Sequence, residues 1–190
     1  MTPVPDAEAP DRLRPDDVPA VLAIYEEAFP SSERVPSAVL AEGFASEREG
    51  LVLRDAGRVV AFASLIVLAP DARFLEYLAV SSDARGGGHG GGLLDSLRTG
   101  GGTVLYEVED PAEPGIAPYE CAARERRIAF YRAHGGRPAP FSLAYRPPSF
   151  DGSTPARMLL FALGAAVDWS FADLLRRLSA ASAVTYARAR

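Results

Sequence analysis

Apolar positions between Val18 and Phe29 recur at helical spacing. Val18, Val21, Leu22, Ile24, Tyr25, Ala28 and Phe29 form one stripe, Asp16 or Asp17 is placed to cap it, and Pro30 ends it. SSERVPSAVLAEGFASE predicts a second, shorter helix with Pro36 in its first turn. The pattern then changes period. GLVLRDAGRVVAFASLIVLAP reads as two strands joined by a tight turn at Asp55, Ala56 and Gly57, and Arg73 to Val80 reads as a third strand. Beyond a glycine-rich stretch, a helix is predicted from Gly91 to about Arg98 and another from about Tyr119 to His134. Between them, Thr103 to Asp110 has the apolar and β-branched content of a strand. FSLAYRPP and PARMLLFALGA predict two more strands. DWSFADLLRRL opens an amphipathic terminal helix, with Ser170 and Asp173 at capping-box spacing.

This order implies an α/β protein of the α+β type. Its sheet is expected to be mixed and mostly antiparallel, with helices on both faces. The unit 74–110 is a strand, a crossover helix and a strand, which requires one parallel pair. Residues 1–10, rich in proline, are expected to be a disordered lead-in. Residues 11–149 form the main domain, and 150–190 a strand-plus-helix extension packed on it. Leu159, Leu160, Phe161, Leu174, Leu175 and Leu178 supply the extension's apolar surface, which suits packing on its own domain or on a second copy. The chain is thus a monomer or a homodimer.

Composition narrows the chemistry. With 48% hydrophobic residues, the 190-residue chain has enough apolar material for a packed core. The net charge of −5 and the absence of a basic block argue against nucleic acid as the main partner. No apolar run approaches a membrane span, and MTPVPDAEAPD lacks the basic and hydrophobic regions of a secretory signal. One cysteine, Cys121, and two histidines make a dedicated metal site improbable, so no metal is expected; a reducing cytoplasm fits. All 20 basic residues are arginine, and lysine, asparagine and glutamine are missing. Schiff-base lysine chemistry and a Walker lysine are therefore excluded.

The stretch Arg85-Gly86-Gly87-Gly88-His89-Gly90-Gly91-Gly92 lies between a strand and a helix. Glycines there leave backbone N–H groups open and allow positive φ, and at a helix start such groups bind phosphate. Arg85 could add charge-assisted bonds, and His89 is expected to face solvent or phosphate. A linker and a nucleotide fingerprint compete with this reading. The first conflicts with elements continuing closely on both sides. The second conflicts with three consecutive strands where a dinucleotide fold alternates strand and helix.

LAVSSDARGGGHG resembles the acyl-CoA loop of the GNAT superfamily of acyl-CoA-dependent N-acyltransferases, whose pattern is Arg/Gln-x-x-Gly-x-Gly/Ala. RRIAFYRAHGG, Arg126 to Gly136, resembles that family's later helix, which carries a tyrosine near the thioester sulfur. The resemblance covers about residues 12–146 and implies a GNAT-like fold with a splayed parallel strand pair. It implies that the pantetheine arm pairs with the backbone of Leu78, Ala79 and Val80. It also implies that the diphosphate sits on Arg85 and the amides of Gly86, Gly87, Gly88, His89, Gly90 and Gly91. Tyr131 matches the family's general acid. Many members carry an Asn at the start of that helix, and this chain has none.

Amine acylation needs a proton acceptor, and three strand glutamates are candidates. Glu107 and Glu109 share a face by strand periodicity, near the C-terminal end where open sheets bind ligands. Glu76, four residues before Val80, occupies a place where some GNAT enzymes carry an acceptor-contacting or basic Glu. A salt bridge to an arginine is its structural alternative. The reading that emerges is transfer of an acetyl group from acetyl-CoA to a primary amine on a small molecule or peptide, the carboxylates favouring a cationic acceptor. Alternatives are a non-catalytic acyl-CoA-binding module on the same fold, or a nucleotide-binding protein.

Overall fold

The computed structural model describes residues 9–140, 144–147 and 154–188. The lead-in up to residue 8 and part of the expected FSLAYRPP strand lie outside the described residues.

The strands are β1 (Asp11–Arg12), β2 (Arg48–Asp55), β3 (Arg58–Ala69), β4 (Ala72–Val80), β5 (Thr103–Glu109), β6 (Arg137–Pro138) and β7 (Met158–Gly164). The helices are α1 (Val18–Ala28), α2 (Ser37–Phe44), α3 (His89–Thr99), α4 (Pro118–Ala133) and α5 (Phe171–Arg188). The strands form one sheet in the order β1-β2-β3-β4-β5-β7-β6. All neighbouring pairs are antiparallel except β4 and β5. The mixed, mostly antiparallel sheet of the sequence reading is therefore present, with its one parallel pair at the crossover through α3. β7, from the expected extension, lies inside the sheet between β5 and β6.

Local chemistry explains most boundaries. Asp55 pairs with Arg58 around a two-residue turn in which Ala56 (φ 49) and Gly57 (φ 77) are both left-handed. That is the turn type whose twist matches a hairpin. α5 opens on the expected capping box: Asp173 N–H donates to Ser170 Oγ (3.1 Å), and Ser170 N–H donates to Asp173 Oδ2 (3.0 Å). α3 starts two residues earlier than expected, at His89. Glycine is a poor helix former, but buried Leu93, Leu94 and Leu97 anchor the following turns and hold the first turn helical.

The sheet packs on both sides. One face carries Ala63, Leu65, Leu75, Val104, Tyr106 and Val108 against Leu94 and Leu97 of α3 and Ile128 of α4. The other face carries Val52, Phe62, Tyr77 and Ala79 beneath α1 and α2. Farther along that face, Ile66, Phe74, Leu105 and Leu160 pack with Leu174 of α5.

Candidate functional site

The site begins where the parallel pair ends. β4 and β5 pair in register from Ala72–Thr103 to Leu75–Tyr106 and no farther. Beyond that last rung β4 follows β3 to Val80, and β5 follows β7 to Glu109. The strands thus part into a wedge-shaped gap whose walls are Glu76–Val80 and Glu107–Glu109. A strand that loses its neighbour leaves backbone N–H and C=O groups free for another extended partner.

At the mouth of the gap lies the glycine stretch. Gly86 (φ 82) and Gly88 (φ 81) adopt left-handed backbone that a side chain would strain. Gly88 is the N-cap of α3, and its carbonyl accepts the first helical bond, from Gly92 N–H (3.0 Å). The amides of His89, Gly90 and Gly91 are therefore the helix's unpaired donors, at its positive end. Gly87 N–H is occupied by the Ala84 carbonyl (3.4 Å) and does not join them. Gly91 also admits a neighbour, because an added Cβ would stand 2.6 Å from His134 Nε2. His134 Nδ1 is itself 3.2 Å from Asp95 Oδ2.

One expectation about this stretch changes. His89 does not face solvent; it is buried at 7% exposure, with Nδ1 lacking a partner among the described residues. Arg85 folds back, its Nε donating to the Val80 carbonyl (3.3 Å). It thereby ties the cradle to the end of β4.

Tyr131 stands at the apex of the wedge. Its ring packs on Tyr106, the last paired residue of β5, with centroids 4.6 Å apart. Burial raises its phenol pKa, opposed by nearby Arg127, so the hydroxyl keeps its proton near neutrality. Its height is fixed by the end of α4. Gly136 N–H donates to the Tyr131 carbonyl (2.9 Å) and Gly135 N–H to the Arg132 carbonyl (3.0 Å), with Gly135 at φ 88. This is the double bond pattern of a Schellman cap. A Cβ at Gly136 would overlap Tyr106 Oη and lie 2.8 Å from the Tyr131 carbonyl. Gly136→Ala is accordingly expected to cost about 1–3 kcal/mol in urea unfolding, since the obstacle includes backbone.

The three glutamates have different surroundings. Glu76 sits at a bulge between the Ser64–Tyr77 and Leu65–Leu75 pairs. It is gripped by Arg48, with Nε to Oε2 at 2.8 Å and NH2 to Oε1 at 3.1 Å, and Ser64 Oγ lies 3.4 Å away. Both of its oxygens serve that ion pair. Glu109 bonds to Arg127 and lies 3.7 Å from Arg124 Nε. Among the described residues Glu107 has no cationic partner; it accepts a bond from Tyr145 Oη. Burial pushes its pKa up, and the Tyr145 bond partly offsets this. Glu33, between α1 and α2, also has a raised pKa, through burial and the charge of Glu109.

The Pro-rich segment after β5 borders the gap and is pinned. Glu113 receives Arg124 (2.7 Å), Arg146 (2.6 Å) and the Arg157 N–H (3.1 Å). Arg157 also meets Asp110 (2.7 Å), and Arg124 donates to the Asp110 carbonyl (2.9 Å). Arg124 beside it holds the Glu113 pKa down, to about 2. A depressed pKa contributes stability above the unfolded carboxylate's value and loses it as pH falls toward the folded one. Glu113→Gln should therefore flatten the fall in stability between about pH 4.5 and 2, read from urea midpoints across that window. An unchanged slope would show that Glu113 does not drive it. No sequence signal indicated this knot, whose partners lie 11 to 47 residues apart.

Among the described residues no cluster of three metal-ligating side chains occurs, and no helix is long and apolar enough to cross a membrane.

Comparison with known proteins agrees with this geometry. Residues 18–99 match the Acetyltransferase (GNAT) family. No curated protein matches the chain. Among solved structures, the chain is similar to a protein from Bacteroides thetaiotaomicron assigned to the GNAT family. Identity is 21%, 93% of this chain and 97% of that one are covered, and the TM-score is 0.71. It is also similar to the ribosomal-protein-S18-alanine N-acetyltransferase from Escherichia coli (23% identity, 85% and 97% covered, TM-score 0.58). A third similar structure is the ribosomal-protein-alanine N-acetyltransferase from Brucella melitensis (22% identity, 80% and 97% covered, TM-score 0.57).

Proposed function

We propose, from the match of residues 18–99 to the GNAT family and the similarity of the fold to a GNAT-family structure, an N-acetyltransferase that moves an acetyl group from acetyl-CoA directly to a primary amine. The observation that carries this reading is the parting of β4 from β5 after Leu75–Tyr106, with unpaired helix-start amides at one side and Tyr131 at the apex. The free edge of Leu78, Ala79 and Val80 suits an extended amide-bearing arm. The amides of His89, Gly90 and Gly91 suit its diphosphate.

In the reaction Glu107 takes a proton from the acceptor ammonium. The freed amine attacks the thioester carbonyl, forming the C–N bond. The C–S bond breaks, the departing thiolate takes a proton from Tyr131, the nitrogen gives its second proton back to the tyrosinate as the amide forms, and Glu107 releases its proton to solvent. A base works best with a pKa lifted toward neutrality, and its surroundings push that of Glu107 up. Glu76, committed to Arg48, serves architecture in this scheme; Glu109 and Glu33 supply negative potential that favours a cationic acceptor. A small-molecule amine and a peptide N-terminus both meet that description, and a cytoplasmic setting suits the donor.

The test is an amine panel with acetyl-CoA, following free thiol and N-acetyl product. Stoichiometric release of both with at least one amine is expected. Acetyl-CoA binding without product from any amine would instead mark a non-catalytic acyl-CoA module.

A further inference from the structure

Tyr145 belongs to the chain that returns along the outer edge of β7. Its backbone exchanges both bonds with Met158: Tyr145 N–H to the Met158 carbonyl (3.1 Å), and Met158 N–H to the Tyr145 carbonyl (2.7 Å). Met158 lies opposite Glu109 of β5, and Leu160 lies opposite Glu107. Tyr145 is therefore one strand removed from β5, yet its side chain crosses β7 and its hydroxyl bonds Glu107. The ring rests edge-on against Phe171, the first residue of α5, with centroids 5.1 Å apart. α5 is fixed in turn by the Ser170–Asp173 capping box and by fully buried Leu174. Arg177 lies over the Trp169 ring at 4.3 Å and donates to the Leu68 carbonyl (3.3 Å).

We propose that Tyr145 is a positioning residue for Glu107, and that α5, through Phe171, completes the acetyl-transfer site. The inference rests on the reading of Glu107 as proton acceptor. A glutamate has three rotatable side-chain bonds, and a half-buried one without a cation is held by its hydrogen bonds. A hydroxyl donating to the carboxylate favours its ionised form, so it limits the upward shift that burial imposes. Burial raises the Glu107 pKa and the Tyr145 bond lowers it. From the packed elements, α5 presents Phe171 and Leu174, and β7 presents Leu160. The charged groups at the strand's end, Glu109, Arg124, Arg127 and Glu33, interact among themselves.

The test compares Tyr145→Phe, Phe171→Leu and Glu107→Gln with the parent protein. Tyr145→Phe keeps the ring and removes the hydroxyl. The side-chain carboxyl carbon signal of Glu107 is assigned by its disappearance in Glu107→Gln. In Tyr145→Phe its titration midpoint should rise by about one pH unit. With the amine found in the panel, kcat at pH 7 should fall about tenfold. The acid limb of kcat/KM should move up with the titration, while KM for acetyl-CoA stays within about twofold. Phe171→Leu, which keeps the hydroxyl but removes the ring beneath it, should shift both in the same direction by less. It stands as the second measurement should Tyr145→Phe not fold. A Glu107 titration and kcat unmoved in both variants would overturn the proposal. Unchanged turnover in Glu107→Gln would overturn the proton-acceptor reading itself; the carboxyl titration would still decide whether Tyr145 holds that group.

Discussion

Tyr131→Phe is expected to lower kcat by about a hundred- to a thousandfold while leaving the Kd for acetyl-CoA within about twofold. The ring stays, so the 4.6 Å packing on Tyr106 and the Schellman-capped end of α4 stay with it. What is lost is one proton donor at the apex of the strand gap. An alkyl thiolate leaves poorly unless it is protonated as the C–S bond breaks, and a half-buried phenol with a raised pKa is protonated throughout the working range. The effect should therefore fall on chemistry and not on donor binding. Steady-state kinetics with isothermal titration of acetyl-CoA separates the two. Equal losses in kcat and donor affinity would mean that Tyr131 is a packing residue, and full activity would remove it from the mechanism.

Arg48→Leu should be the most damaging single change to stability, about 3–5 kcal/mol in urea unfolding. The Arg48 side chain is 0% exposed and that of Glu76 is 12% exposed, so removing the arginine strands a carboxylate away from water. Gly43 makes the pair possible: an added Cβ there would strike the guanidinium. A loss of that size is a large part of the total stability of an ordinary domain. The double variant Arg48→Leu/Glu76→Leu should recover most of it, because the cost belongs to the unpaired charge. A single variant losing under about 1 kcal/mol would mean that solvent reaches Glu76. If Glu76 were instead the catalytic base, the double variant would be stable but inactive; retained turnover supports Glu107.

The reading of Glu76 shows where sequence logic stops. RFLEYLAV contains apolar residues for both faces, so its alternation cannot reveal a bulge. The bulge at Glu76 is what separates Leu75, on the α3 face, from Tyr77 beneath α1. The arginine that claims Glu76 lies 28 residues away, at the start of another strand. Nothing local marks it. The glycine stretch was legible because its chemistry is local: consecutive glycines, an apolar strand before and an amphipathic helix after. The same holds for the Ser170–Asp173 box, whose two members are one helical turn apart. β1 and β6 escaped notice because two residues carry no period. Tyr145 escaped because its role exists only once β7 has been inserted between it and β5.

That insertion has a consequence for the nascent chain. The first half of the sheet, through Val80, is knit from adjacent hairpins and can form as it emerges from the ribosome. β5 then offers a bare edge from Thr103 to Glu109 until Met158–Gly164 arrives some fifty residues later and closes it. During that interval the acidic pair of β5 acts as a gatekeeper, keeping an open apolar strand from joining a neighbour's. The carboxylates that wait at the gap in the finished protein thus have an earlier task, on the opposite edge of the same strand, which β7 later covers.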